Sequence, residues 1–169
     1  MPCKGGETVD RKTYLAGVSA LYAAEVLGEG LASRWLELAA DPGQKYKLSL
    51  FLQLETEAKA RLRPLLARHG LSLVEDAGQR AAGAAAADRF AAMPWSEAMA
   101  TLAELALPYA QRFEVLLAAA PPADVPLVLF MVDHERNVAR IAAREAAGED
   151  VMDRELLVML AHPIARQGA

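Results

Sequence analysis

The chain holds a single cysteine, Cys3. An intrachain disulfide framework and a cysteine-ligated zinc site are therefore excluded. Basic runs are missing too: Lys and Arg are interspersed with Asp and Glu and the net charge is −4, so non-specific nucleic-acid binding is not expected. No run of about 18 apolar residues is free of charge, which argues against a membrane span. No apolar core follows a basic segment near the start, so no secretory signal is expected, and a reducing, cytoplasmic setting is the expectation. The sequence has no phosphate-binding glycine loop, no G-x-S-x-G elbow and no H-E-x-x-H. Aromatic residues make up only 6%, and no segment alternates apolar and polar residues long enough to read as a strand.

What is present favours helix. Ala, Leu, Arg and Glu dominate a 169-residue chain, and all four lose little side-chain freedom in a helix. The length suits one domain, with residues 1–9 and 163–169 as tails. Asp10 reads as the N-cap of a first helix reaching Ala40, stopped by Asp41-Pro42-Gly43. A second helix runs from Gln44 to His69, with Gly70 at its C′ position. A third opens near Pro94, carries Pro108 as an expected kink, and ends at Ala120 before Pro121-Pro122. A fourth follows Asp124 to Gly148, and a short fifth spans Val151 to Ala161.

The connections carry the topology. The first two helices are joined by a few residues, as are the third and fourth, whereas Gly70 to Pro94 is 25 residues long. Its Ala-rich stretch, Gln79 to Met93, can itself be helical. A second helix about 38 Å long gives this connection a length to travel back along. The expectation is an all-α bundle of two antiparallel hairpins joined by a long crossover, plus a short C-terminal helix.

Charged groups interrupt the apolar seams. In the first helix Leu15, Val18, Tyr22, Glu25, Glu29, Ala32 and Leu36 recur at three- and four-residue spacing, so two carboxylates sit in one apolar face. In the second helix Glu55 lies mid-seam among Leu48, Phe51, Ala58 and Leu62. In the fourth, His134 follows Met131 on the seam and Glu135 lies on the adjacent strip. The third is apolar through Trp95, Met99, Leu102, Ala106, Tyr109 and Phe113, with Arg112 beside it. A buried carboxylate needs a cation, a proton or a metal, and Glu and His are suitable ligands for iron or manganese.

Over roughly the first 148 residues the topology and the seam acids resemble the ferritin-like superfamily of di-iron and di-manganese carboxylate bundles. In that family the first and third helices each give a Glu, and the second and fourth each give Glu-x-x-His. Glu25 matches the first-helix ligand and Glu55 the second-helix Glu, but Ala58 stands at the His place. In the fourth helix either Glu135 matches the Glu, with Val138 at the His place, or His134 matches the His, with Met131 at the Glu place. The third helix has no seam Glu, and its nearest acid, Glu104, lies on the other face. The resemblance implies a bound iron or manganese, held by Glu25, Glu55 and His134 or Glu135, with Glu29 a further candidate ligand. It also implies oxidoreductase or oxygenase chemistry on a small-molecule substrate, with Tyr22, Tyr109 and Arg112 as candidate catalytic groups.

Plainer readings stand beside this one. A weak echo between Leu21–Glu25 and Pro108–Arg112 places Arg112 opposite Glu25, where the two could form a buried ion pair in place of a metal. His134 could be a satisfied core histidine, and Tyr22 and Tyr109 core aromatics. Glu57 is expected to face solvent, and His69 to sit at a helix C-terminus. The alternative function is then a metal-free binding or assembly module, expected as a homodimer. A small-molecule pocket lined by Tyr22, Glu25, Tyr109 and Arg112 is a further expectation.

Overall fold

The computed structural model describes residues 10–163, so Cys3 and most of the two expected tails lie outside the described residues. Six helices make up the described chain: α1 Arg11–Leu38, α2 Pro42–Arg68, α3 Ala77–Ala92, α4 Trp95–Ala118, α5 Val125–Ala146 and α6 Met152–Met159. No strand occurs among the described residues. The punctuation acts as its chemistry requires. Asp10 caps α1 by accepting from the Thr13 N–H, and Asp41 caps α2 by accepting from Gln44, with Pro42 in the first turn. Because Asp41-Pro42 begins α2 at once, α1 ends at Leu38 rather than Ala40 and Ala39 turns extended. Gly70 follows α2 at φ 66°, a left-handed backbone that glycine adopts without a Cβ penalty. α4 continues through Pro108 and α2 through Pro64.

Contacts fix the directions. Trp35 near the end of α1 stacks against Trp95 at the start of α4, and Gly17 near the start of α1 meets Leu116 near the end of α4. Lys47 early in α2 lies over the Trp95 ring, while Arg68 at its end bonds Asp124 at the start of α5. α1 and α5 therefore run one way and α2 and α4 the other. The 25-residue connection is mostly the helix α3, which runs back beside α1: Asp88 meets Arg34, and Phe90 meets Trp35. Two hairpins, α1–α2 and α4–α5, are thus joined by a helical crossover.

α3 lies very close to α1. A Cβ at Gly83 would overlap the Leu27 carbonyl and crowd the Leu31 N–H, and one at Gly30 would meet the Arg80 carbonyl. Glycine at these positions lets the two backbones approach, after which Ala87 and Phe90 are buried against α1. α1 is long and apolar enough to cross a membrane by length and composition, but 50% of that window is buried by its neighbours and it carries Glu25 and Glu29.

The core falls into two apolar halves. One holds Trp35, Leu50, Leu54, Phe90, Met99, Leu102 and Ile141. The other holds Tyr14, Leu21, Leu62, Leu65, Phe113, Val128 and Met131. Gly83→Ala is expected to force α1 and α3 apart and to lower stability by about 1–3 kcal/mol, as overpacking does. Urea unfolding followed by circular dichroism checks this.

Candidate metal centre

A polar layer separates the two apolar halves. Glu25 of α1, Glu55 of α2, and His134 and Glu135 of α5 occupy it, at 1%, 5%, 2% and 9% exposure. At the same level α4 supplies Tyr109 and Ala110, so no acid enters from that side. Ligand-type atoms of Glu25, Glu55 and His134 all lie within 4.8 Å of one another. His134 Nε2 is 3.4 Å from Glu55 Oε1 and 3.7 Å from Glu25 Oε2. Gly28 is what gives Glu55 its place, because a Cβ there would coincide with the Glu55 carboxylate. No Lys or Arg bonds any of the four among the described residues.

The electrostatics follow from burial. Loss of water pushes the Glu25 carboxyl well above the usual carboxylate range, reinforced by Glu55 and Glu135 and opposed by His134. Burial likewise raises Glu135, to about 8. Burial disfavours a charged His134, but the facing carboxylates outweigh it and lift the imidazole to about 10. Without another cation this group therefore keeps protons that free side chains would release at neutral pH.

The residues fit a divalent metal. The donors are two carboxylates and an imidazole, the set that iron and manganese accept. Glu25 Oε2 is buried, faces His134 Nε2 at 3.7 Å, and has no hydrogen-bond partner among the described residues. Such orphaned atoms are costly in an apolar core unless something binds them. The positions that would complete two Glu-x-x-His motifs hold Ala58, Met131 and Val138, all buried and apolar. The ligand set is accordingly smaller than that of a full dinuclear site.

Other expected site residues are placed differently. Glu29 does not join the group. Four residues advance a helix by about 400°, so Glu29 is turned about 40° from Glu25, and it faces the junction of α1, α2 and α3. There Lys59 Nζ donates to it at 2.5 Å and Thr56 Oγ1 at 2.7 Å, and Arg80 also pairs with it. Lys59 and Arg80 each also pair with Glu75, at 2.5 Å. Arg112 is exposed and does not pair with Glu25; its guanidinium lies 5.5 Å from the centre of the Tyr109 ring. The expected buried Glu25–Arg112 bridge is therefore absent, because α4 turns Arg112 outward while Phe113 points in. Tyr22 is buried, but its hydroxyl donates to the Leu73 carbonyl at 3.2 Å, in the connection before α3.

Three polar clusters escaped sequence reading. Lys59 is buried; its position four residues after Glu55 was the available signal. Asp124 leaves the start of α5 uncapped and instead accepts from Tyr14, Arg68 and His69, at 2.9, 2.6 and 2.6 Å, so His69 lies at the helix end as expected but hydrogen-bonded to Asp124. Glu57 is half-buried rather than solvated, and accepts from the backbone N–H groups of Ala161 and His162.

A cleft of about 330 Å³ reaches this layer from the side. Leu27, Leu31, Phe51, Leu102 and Val138 make it apolar, Glu55 and Glu135 lie on its wall, and Tyr109 and Arg89 also line it. Tyr109 is thus at the site, though as cleft lining; of the residues expected around a pocket, Tyr109 and Arg112 line a separate cleft of about 410 Å³, and Tyr22 and Glu25 do not line it. Compared with family models, curated proteins and solved structures, the chain matches none.

The Glu29 network yields a pH prediction. Burial raises the Glu29 carboxyl, but hydrogen bonds from Lys59, Thr56 and Arg80 hold it at about 2, against an ordinary 4.5. A depressed carboxylate contributes stability that is present above about pH 4.5 and lost as the pH falls toward 2. The loss expected across that window is on the order of 2–3 kcal/mol. Urea unfolding from pH 6 to pH 2 measures it, and Glu29→Gln should flatten that part of the profile.

Proposed function

We propose that this protein is a ferritin-like metal protein in which Glu25, Glu55 and His134 hold iron or manganese and serve oxidation or oxygenation of a small molecule. The observation that carries this reading is the convergence of three ligand-type side chains from three helices within 4.8 Å, buried and without Lys or Arg partners. The order of directions supports it: α1 and α5 run against α2 and α4, and the long crossover between the hairpins is the ferritin-like arrangement. The missing third-helix Glu and the missing second-helix His favour one metal or an unequal pair over a symmetric centre.

Iron or manganese bound there would supply Lewis-acid and redox chemistry toward oxygen or peroxide. The chain's own residues do the rest. Gly28 leaves room for the Glu55 carboxylate. Glu135, on the cleft wall beside the group, offers a carboxyl that can hold or release a proton there. The two apolar halves of the core keep water from the layer on both sides. A second reading, a metal-free bundle serving binding or assembly, rests on the contacts of His134 with both Glu55 and Glu25, since an imidazolium would balance part of their charge.

Elemental analysis of protein purified from iron- and manganese-supplied cells decides between them. Stoichiometric metal is expected in the unaltered chain. Glu55→Ala should lose it, and Gly28→Ala should weaken it by about tenfold or more, as disturbing a ligand's support does, with helix content retained by circular dichroism. A metal-free chain that also fails to take up Fe(II) or Mn(II) on reconstitution would overturn the metal reading.

A further inference from the structure

The cleft beside the polar layer has a chemical direction. Its inner wall carries Glu55 and Glu135 and is otherwise Leu27, Leu31, Phe51, Leu102 and Val138. On α3 the residues that face it are Ala82, Ala86 and Arg89, spaced by four and three, so they form one stripe along the helix. Arg89 is exposed and has no carboxylate partner among the described residues, unlike Arg80 on the same helix, which is bound to Glu29 and Glu75. The cleft therefore offers acid and apolar surface within and a free guanidinium toward solvent.

We infer that the cleft takes a small molecule with an apolar body and one terminal carboxylate, which enters body first and leaves its carboxylate on Arg89. The inference rests on the proposed function for the site, to which it assigns a substrate class. Desolvation sets the orientation. An anion carried inward would leave water for a wall that is mostly apolar, whereas at the mouth it stays hydrated and meets a planar donor fork suited to two oxygens. One guanidinium suits a monoanion; a phosphate ester at neutral pH carries more charge than a single Arg balances. Size agrees, since about 330 Å³ lies at the small end of the roughly 300–1,000 Å³ of pockets that enclose small ligands. The body then lies against Phe51 and Leu102, with its far end beside the polar layer.

Isothermal titration of decanoate and decan-1-ol into metal-stripped and metal-loaded protein tests this. Decanoate should bind more tightly than the alcohol by about tenfold, the value of one charge-assisted hydrogen-bonded contact. Arg89→Gln should remove that advantage while leaving decan-1-ol within about twofold of its original affinity, a change too small to reflect a lost contact. Ala86→Phe, which fills the cleft, should abolish binding of both. Arg112→Gln, at the far side of Tyr109, should leave decanoate binding unchanged. Equal affinity for acid and alcohol, no effect of Arg89→Gln, or an equal effect of Arg112→Gln would each overturn the inference. Arg89-dependent binding by a chain that takes up no metal would support this inference while removing the metal reading, so the two fail separately.

Discussion

A carboxylate moved from water into an apolar core loses several kcal/mol of hydration, and something must return it. This protein places three of them, with one imidazole, in a single layer across a helical bundle. The rest of the architecture accommodates that layer. Gly28 clears space for the Glu55 carboxylate, and the core divides into an apolar half above and an apolar half below. The nearby cations are engaged elsewhere: Lys59 and Arg80 hold Glu29 and Glu75. Within the layer His134 is the cationic partner among the described residues, while Lys59, bound to Glu29 and Glu75, acts on Glu25 from outside it.

The contrast between Glu25 and Glu29 shows how finely position decides role. They stand one turn apart on the same helix and are both buried. Glu29 is rotated toward α3, where two cations and a hydroxyl saturate it, and its proton affinity falls. Glu25 faces α2 and α5, where burial, reinforced by other carboxylates and opposed by an imidazole, raises its proton affinity. Glu29 thus ties α1, α2 and α3 together, while Glu25 is left able to bind something further.

The helical crossover gives the layer its access. α3 packs on α1 through Gly30 and Gly83, and α4 brings Tyr109 and Ala110 instead of a fourth acid to the polar level. An apolar cleft lined from α3 and α4 reaches Glu55 and Glu135. With Tyr109 and Ala110 rather than a carboxylate at that level, α4 leaves room for a molecule beside Glu55 and Glu135.

Local chemistry written in the sequence determined the helices, their caps at Asp10 and Asp41, the left-handed stop at Gly70, and the inward faces that carry Glu25, Glu55 and His134. These are legible because caps and helical periodicity depend on residues only a few positions apart. Periodicity gives the angle at which a side chain leaves its helix, but not which helix lies opposite. The partners of Glu29, the outward turn of Arg112, the burial of Lys59, the cluster on Asp124 and the cleft that ends at Arg89 were decided only when α3 packed onto α1 and the two hairpins met. The contacts of Glu29, Lys59 and Asp124 join groups 16 to 110 residues apart along the chain, brought together by tertiary packing alone.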